Sequence, residues 1–353
     1  QIRRGVPISH QNAKYPILCS SSPVSRGAVG GRAEQSEGEG GRGEVRREQM
    51  ASPVLRSSIS HSRTLLPLSL PRPFSGSRRV QTRKRRALAP VLAVRSEVSF
   101  SSSAHLVPHP NKVDSGGEDA FFISSYNGGV LAIADGVSGW AARNVDPARF
   151  SQELISHASR LVEDEEVNYD PQILLGKAHA ATSSIGSATV IIAMLEKNGT
   201  LKIANVGDCG LRIIRQGQVI FCTLPQEHHF DCPYQLSSEM LSQTCLDATV
   251  CSIPLMLGDI IVMGSDGLFD NVFDGEIVST ISATATDNVT NAAKALADLA
   301  RQHSLDRNFD SPYSLEARNM GFDVPIWKKL LGMKLTGGKP DDITVIVGQV
   351  ITA

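Results

Sequence analysis

Residues 120–136 read Ala-Phe-Phe-Ile-Ser-Ser-Tyr-Asn-Gly-Gly-Val-Leu-Ala-Ile-Ala-Asp-Gly, two apolar runs with a turn signal between them. The runs Ala120–Tyr126 and Gly129–Ala134 flank Asn127-Gly128, a dipeptide that favours a type I′ turn, so this stretch predicts a β-hairpin. The second run ends in Asp135-Gly136, which places a carboxylate beside a conformationally free backbone position at the end of a buried strand. Acidic residues at strand ends recur through the rest of the chain.

Further strands and helices follow this hairpin. The other apolar runs that predict strands are Ala188–Leu195, Leu201–Val206, Leu211–Ile214, Val219–Cys222, Leu255–Met263 and Ile343–Ile351. Helices are predicted after Asp146-Pro147, after Asp170-Pro171, from Asp274 and from Asn288. Because hairpins and helices come in blocks, the pattern favours antiparallel sheets covered by helices over strict βαβ alternation. Residues 305–339 lack a clean period and are predicted to form a long loop with one helical turn near 326–331.

Five acidic clusters adjoin these predicted strands. They are Gly117-Glu118-Asp119, Ala134-Asp135-Gly136, Gly207-Asp208, Ser265-Asp266-Gly267 and Pro340-Asp341-Asp342. Carboxylates that meet at one sheet edge would repel and raise each other's pKa values, and a divalent cation would remove that penalty. Oxygen-only ligands select Mg²⁺ or Mn²⁺, and two such ions about 3.5–4 Å apart can activate a water and clamp a phosphoryl group. The alternative is that each Asp only caps its own turn.

The charge of the chain is divided between two unlike parts. Of the 353 residues, those up to Glu97 carry 18 Lys and Arg against 6 Asp and Glu, whereas those from Val98 onward carry 17 against 30. A basic leader on an acidic body argues against a nucleic-acid partner. No run of about 18 apolar residues is present, so we expect no transmembrane segment.

The leader itself has two parts. Residues 50–95 are rich in Arg and Ser and contain no acid, which is typical of an organellar transit peptide, and the start Met50-Ala51-Ser52 favours a chloroplast. A disordered basic tail is the alternative. Residues 1–49 are of low complexity and contain no Met, so we expect them to lie upstream of the true start. The folded catalytic domain is then predicted to span 99–353.

Six segments, taken in order, resemble the metal-dependent type-2C Ser/Thr protein phosphatases. They are Gly-Glu-Asp-Ala at 117–120, Ile-Ala-Asp-Gly-Val at 133–137, Gly-Ser-Ala-Thr at 186–189, Ala-Asn-Val-Gly-Asp at 204–208, Gly-Ser-Asp-Gly-Leu-Phe-Asp at 264–270 and Asp-Asp-Ile-Thr-Val-Ile at 341–346. The resemblance covers roughly Gly116 to Gln349. Two further stretches, 225–230 and 232–236, are similar to the organellar branch of that family.

The resemblance implies an α+β fold, with a central antiparallel β-sandwich flanked by α-helices on both outer faces in four αββα layers. It implies that Asp135 bridges two metal ions, Mg²⁺ or Mn²⁺, that the Gly136 carbonyl joins the second ion, and that Asp266 and Asp341 complete the first. Asp208, with Asp119 nearby, is a candidate for a weaker third ion. Glu118 would act through metal-bound water, and a metal-bridging hydroxide would attack the phosphorus directly.

The same resemblance, together with the leader, implies the partners and the location. We expect phosphorylated Ser/Thr proteins of the chloroplast as substrates, with photosystem II core subunits of the thylakoid foremost. The expected location is the stroma or the stromal face of thylakoids, with peripheral membrane contact and a monomeric chain.

Two departures from the family pattern keep alternatives open. The most familiar members have a general-acid His two residues after the bridging Asp, where this chain has Val137, so the general acid is unassigned. Those members also have a phosphate-binding Arg shortly before the Glu-Asp pair, where this chain has no Arg, and Lys112 is our candidate for the phosphate contact. Lys binds phosphate as a point charge, without the fork of Arg. A catalytically weak phosphoprotein-binding relative and a small-molecule phosphatase are the competing functions. The basic run Lys328, Lys329, Lys334 and Lys339 is either a solvated loop or a lip that steers phosphorylated segments.

Overall fold

The computed structural model describes residues 96–240, 242–284 and 289–353. The predicted low-complexity leader (1–49) and transit peptide (50–95) lie outside these described residues. The predicted catalytic domain begins within the first strand, which starts at Val98. None of the helices in the described ranges is long and apolar enough to cross a bilayer.

Strands and helices alternate in blocks along the described chain. The strands are β1 Val98–Val107, β2 Ala120–Ser124, β3 Val130–Gly136, β4 Ser187–Leu195, β5 Thr200–Val206, β6 Gly210–Arg215, β7 Gln218–Cys222, β8 Glu227–His229, β9 Cys232–Pro233, β10 Leu236–Ser237, β11 Thr249–Pro254, β12 Ile260–Gly264 and β13 Ile343–Thr352. The α-helices are α1 Pro147–Leu161, α2 Pro171–Ala181, α3 Asp266–Phe269, α4 Asp274–Thr284, α5 Val289–Leu305, α6 Pro312–Asn319 and α7 Ile326–Leu330.

Two antiparallel sheets form the centre of the domain. The first sheet has the strand order β1-β13-β12-β6-β7, and the second has the order β11-β5-β4-β3-β2, with β10 pairing along part of β4. Strands distant in sequence become neighbours in the first sheet, where Val98 pairs with Thr352 and Val107 with Ile343. This pairing brings the segment after β1 next to the segment before β13, and both carry predicted site residues.

Three apolar layers hold the two sheets and the helices on their outer faces together. The inward faces of the two sheets meet through Leu131, Ile133 and Ile191 of the second sheet and Leu211, Ile213, Met263 and Ile346 of the first. The outer face of the second sheet packs on α1 and α2 through Ala132, Val190, Ile192, Phe150, Leu154 and Leu174. The outer face of the first sheet packs on α4 and α5 through Val262, Val345, Val347, Ile277 and Leu296. Both faces of each sheet are therefore apolar, and the predicted four-layer αββα fold is confirmed.

Local signals placed several of these elements correctly. Asp146 caps α1 by accepting a hydrogen bond from the Ala148 N–H (3.2 Å), and Asp170 caps α2 by accepting one from the Gln172 N–H (2.8 Å). The β2–β3 hairpin forms as predicted. Its connection runs over residues 125–129, with Asn127 at φ 59°, and is longer than the two-residue turn that was expected.

Two predictions about the chain path were wrong. Leu255–Met263 is not one strand, because β11 ends before it and a turn with Gly258 at φ 85° precedes β12. Residues 305–339 contain the helix α6 in addition to the predicted helical turn, which is α7. The Ser311 side chain caps α6 by accepting from the Ser314 N–H (3.1 Å).

Candidate active site

Glycines at two strand ends allow the acidic segments to approach one another. At Gly136, the end of β3, a Cβ atom would lie 2.6 Å from the Glu118 carbonyl oxygen and 2.8 Å from that of Pro147. At Gly117, which has φ 88°, a Cβ would lie 2.7 Å from a carboxylate oxygen of Asp342. Larger residues would force these segments apart, so both positions require glycine.

Asp342 joins the segment before β2 to the start of β13. Its side chain is buried and accepts hydrogen bonds from the backbone N–H groups of His109 (2.6 Å) and Glu118 (2.9 Å). The two partners are 233 and 224 residues away in sequence. The carboxylate therefore fixes Glu118 and the neighbouring Asp341 in one place, a positioning role that was not predicted.

Lys112 lies among these acids, as its proposed role requires. Its Nζ is 2.7 Å from Glu118 Oε2, 3.0 Å from Ser138 Oγ and 3.9 Å from Asp341 Oδ1. Burial alone would lower the pKa of Lys112, but attraction to Asp341 and Asp342 outweighs it and raises that pKa. The Ser138 hydroxyl also donates to Glu118 (2.5 Å), so lysine, serine and glutamate form one connected group.

The remaining predicted acids form a mutually repelling cluster, in which Asp119 and Asp266 are buried and Asp135 and Asp341 are half-buried. Burial raises the pKa of Asp135 well above its usual value, and repulsion from Asp119 and Asp266 adds to the rise. Burial and repulsion from Asp266 likewise raise the pKa of Asp341. The pKa of Asp119 is raised to about 7, again chiefly by burial. Acids from four separate segments of the sequence thus act on one another electrostatically at one place.

The donor chemistry of this cluster suits hard divalent cations. Three buried carboxylate oxygens, the Oδ1 atoms of Asp119, Asp208 and Asp266, have no hydrogen-bond partner among the described residues. Unpaired buried carboxylate oxygens are costly unless a positive charge compensates them. Within residues 96–240, 242–284 and 289–353, no three His, Cys, Asp or Glu side chains are placed so that they could hold a metal ion together. The fit to Mg²⁺ or Mn²⁺ rests on the oxygen-only donors and on their unpaired oxygens, and we call Asp119, Asp135, Asp208, Asp266 and Asp341 the acidic pocket.

A buried lysine neutralises one side of the pocket. Lys339 is only 6 % exposed, and its Nζ lies 2.7 Å from Asp266 Oδ2, 2.9 Å from Asp270 Oδ2 and 3.0 Å from Asp231 Oδ1. Burial alone would raise the pKa of Asp266, but the adjacent ammonium group outweighs burial and holds that pKa below its usual value. The prediction that Lys339 belongs to a loop or lip with Lys328, Lys329 and Lys334 was wrong for this residue, because it is buried inside the site.

A cavity of about 240 Å³ opens beside this lysine. Its lining combines acids, one lysine and aromatic rings, including Asp208, Asp266, Asp270, Lys339, Phe230 and Tyr313. Burial raises the pKa of Asp208, with a further contribution from Asp266. The pocket therefore continues into a space that is large enough for a small group such as a phosphorylated side chain.

Asp208, the candidate for a third ion, and Asp119, which was expected nearby, have one electrostatic neighbour in common, Asp266, and differ in the others. The strongest electrostatic neighbours of Asp119 are Asp342 and Asp266, whereas those of Asp208 include Asp266 and Asp270. Asp208 thus belongs to the side of the pocket near Lys339. The i, i+4 spacing from Asp266 to Asp270 across the short helix α3 was a usable signal for this second acid. No local signal pointed to Asp231.

Comparisons with known proteins identify relatives of this chain. No protein-family model matches the sequence. The rice (Oryza sativa subsp. japonica) protein named "Probable protein phosphatase 2C 1" is 62% identical over 295 residues, which cover 83% of this chain and 88% of the relative. The Arabidopsis thaliana protein named "Probable protein phosphatase 2C 26" is 58% identical over 304 residues, 86% of this chain and 100% of the relative.

A solved structure matches the fold as well. The X-ray structure of the photosystem II phosphatase PBCP is 65% identical in sequence and has a TM-score of 0.70, over 72% of this chain and 100% of that one. The two plant relatives and this structure cover the domain that carries the acidic pocket. The chain therefore belongs to the protein phosphatase 2C family, whose members are metal-dependent serine/threonine protein phosphatases.

Proposed function

We propose that this chain hydrolyses phosphoserine and phosphothreonine on chloroplast proteins, with photosystem II core subunits as the favoured substrates. The observation that carries the proposal is the group of buried, mutually repelling carboxylates with unpaired oxygens at the ends of strands from both sheets. Such a group gains most from divalent cations, and divalent cations paired in one site favour phosphoryl transfer to water.

We assign the metal-binding residues as follows. Asp135, the Gly136 carbonyl, Asp266 and Asp341 would hold a pair of Mg²⁺ or Mn²⁺ ions, and Asp208, with Asp119 nearby, is the candidate for a weaker third ion. When bound, the ions supply charge neutralisation for the phosphoryl group and a water of lowered pKa.

The side chains around the metal-binding acids position the substrate. The Lys112 side chain is 20 % exposed and its ammonium group is held by Glu118 and Ser138, so it can exchange a carboxylate partner for a phosphate oxygen. Glu118 in turn is fixed by its backbone bond to Asp342, and its carboxylate can orient a water by accepting a hydrogen bond. Val137 is buried and its aliphatic side chain has no proton that it could donate, so the proton for the leaving Ser or Thr oxygen comes from another group.

Location and substrate rest on the leader and on the similarity to the photosystem II phosphatase. The Arg-rich and Ser-rich segment 50–95 supports import into the chloroplast. We place the mature chain in the stroma, as a monomer that makes peripheral contact with the stromal face of thylakoids.

The decisive experiment measures phosphate release from a phosphothreonine peptide with Mn²⁺ and with EDTA. We expect release only with Mn²⁺, and we expect Asp135→Asn to abolish it. Asp298→Asn, an exposed partner of Lys294 on α5, is the matched control and should leave the rate unchanged. Binding of the peptide without release would instead support the phosphoprotein-binding alternative.

Substrate choice needs a second experiment. Isolated phosphorylated thylakoids should lose phosphate from photosystem II core subunits when they are incubated with the recombinant domain and Mn²⁺. Phosphate release from the peptide but not from thylakoids would contradict photosystem II core subunits as substrates and would leave the proposed phosphatase activity standing.

A further inference from the structure

Apolar side chains project into solvent along one short segment between α6 and β13. The helix α7 has no buried residue. We call residues 326–334 the α7 patch. Its large apolar side chains are exposed by 50 to 84 %: Ile326, Trp327, Leu330, Leu331 and Met333. Contiguous exposed apolar side chains on a soluble domain mark an interaction surface.

Hydrogen bonds at the base of this segment join its two ends to each other and to the residues before it. The Asp323 carboxylate accepts from the N–H groups of Val324 (2.7 Å) and Leu335 (2.8 Å), which brings the two ends of the loop together. Arg318 donates to the Leu335 carbonyl oxygen (2.5 Å) and to Asp310 (2.6 Å). The patch is therefore presented by an anchored loop, and its exposure is a property of the fold.

Lysines surround the apolar side chains. Lys329 pairs with Asp323 (3.0 Å) and Lys334 pairs with Asp310 (2.5 Å), whereas the Lys328 ammonium lies 5.3 Å from the centre of the Trp327 ring. From Val98 onward the chain has 30 acids against 17 Lys and Arg, so a local group of three lysines is unusual in this acidic body. Residues 326–334 contain three lysines and no acid, so an anionic surface would be repelled less here than by most of the domain.

We propose that the α7 patch is a membrane-docking element that inserts into the headgroup region of a bilayer containing anionic lipids. Trp, Leu and Ile beside Lys is the composition of interfacial membrane anchors, in which the rings and aliphatic chains enter the interface and the ammonium groups contact headgroups. A helix of five residues cannot span a bilayer, so the contact is peripheral. The exposed apolar side chains together with the adjacent lysines favour an anionic lipid surface over a peptide.

Docking through this patch would also orient the cavity. Phe322, just before the patch, stacks on Phe230 with ring centroids 5.3 Å apart, and Phe230 lines the cavity. One wall of the cavity therefore contacts the residue that lies four positions before the patch, and docking would turn this wall toward the lipid surface, where phosphorylated segments of membrane proteins emerge. The inference deepens the peripheral membrane contact of the proposed function, and the orientation argument also rests on the proposed phosphatase activity, whereas lipid binding itself needs no catalysis.

Tryptophan fluorescence gives a direct test. The chain has two tryptophans, of which Trp140 is buried and Trp327 is 61 % exposed. Adding vesicles of phosphatidylcholine with phosphatidylglycerol should shift the emission to shorter wavelength, and brominated lipids should quench it. Vesicles of phosphatidylcholine alone should give a much smaller change. No shift with the anionic vesicles would overturn the proposal.

Variants distinguish insertion of the α7 patch from non-specific hydrophobic adsorption of the protein to vesicles. The combined variant Ile326→Ser, Leu330→Ser, Leu331→Ser keeps Trp327 and should lose at least about tenfold in vesicle partitioning measured by sedimentation. Met256→Ser with Leu257→Ser removes comparably exposed apolar side chains from the β11–β12 turn and should leave partitioning unchanged. Both variants should hydrolyse a soluble phosphopeptide at the wild-type rate.

Two results would contradict the assignment. Equal partitioning of the triple-serine variant and the wild type would show that another surface binds lipid. Self-association of the wild type at rising concentration, lost in the triple-serine variant and without vesicle binding, would assign the patch to a second copy of the chain. Loss of peptide hydrolysis in all proteins would affect the proposed function and not this inference.

Discussion

Replacing Lys339 by Met tests how the acidic pocket is stabilised without metal. The ammonium group contacts three carboxylates, those of Asp231, Asp266 and Asp270, at 2.7 to 3.0 Å, and it is almost fully buried. Methionine has a similar length and fills the same space, so the change removes mainly the charge. The variant would leave buried carboxylates facing one another without a counter-charge.

The expected loss is large. Removing one partner of a buried ion pair costs about 3–5 kcal/mol, because the remaining charge is left uncompensated. For a domain of this size about 1 kcal/mol corresponds to about 2–4 °C in Tm, so we expect the metal-free Lys339→Met protein to unfold roughly 6–20 °C below the wild type.

The contribution of Asp266 to the pH dependence of stability should also change sign in this variant. In the wild type Lys339 holds the pKa of Asp266 below its usual value, so this acid stabilises the fold above its unfolded pKa and loses that contribution as pH falls. Without the ammonium group, burial would raise the pKa of Asp266 instead. The metal-free variant should therefore regain part of its lost stability as the pH is lowered from about 8 to about 5.

The assay is thermal unfolding followed by circular dichroism in EDTA. Lys294→Met is the matched control, because Lys294 forms an exposed i, i+4 pair with Asp298 and should change Tm little. Excess Mn²⁺ should narrow the gap between Lys339→Met and the wild type, since cations replace the missing positive charge. A metal-free Lys339→Met protein as stable as the wild type would refute the reasoning.

Three further predictions follow from the same geometry. First, burial raises the pKa values of Asp119 and Asp270 to about 7, so between about pH 5 and about pH 8 the native metal-free protein binds more protons than the unfolded chain. Its Tm in EDTA should therefore fall as the pH rises through this range. A rising Tm would contradict this prediction. Second, Lys112→Ala should raise KM for a phosphopeptide more than it lowers kcat, and an unchanged KM would reject the phosphate contact. Third, Gly267→Ala should cost about 3 kcal/mol in urea unfolding, because a Cβ would lie 2.1 Å from a backbone carbonyl oxygen, whereas Gly275→Ala, with nothing within 4 Å, should be neutral or slightly stabilising.

The central strands and helix starts could be predicted because their signals are local. Each sheet is covered on both faces, so the inner strands β3, β4 and β13 appear as continuous apolar runs that can be recognised without knowing their neighbours. Aspartate followed by proline marked the starts of α1 and α2 for an equally local reason, since the cap and the first helical residue are adjacent.

Edge elements were harder to predict. β1, with the sequence Val-Ser-Phe-Ser-Ser-Ser-Ala-His-Leu-Val, lies at a sheet edge and is only partly buried, so its serines concealed it. β11 is a second edge strand with mostly exposed side chains, and it was missed: the strand that was predicted in this region begins after it, at Leu255. Edge strands bury less surface, and their apolar pattern is weaker for that reason.

The sequence by itself determined which acids stand at strand ends, because Asp beside Gly or Pro is a property of neighbouring residues. Only the tertiary structure decided which side chains compensate them. The contacts of Lys339 with Asp231 and Asp266 join residues 108 and 73 positions apart, and Asp342 reaches Glu118 across 224. Such distances are closed by the antiparallel pairing of β1 with β13 and by packing of the loops around them, and no local pattern records either.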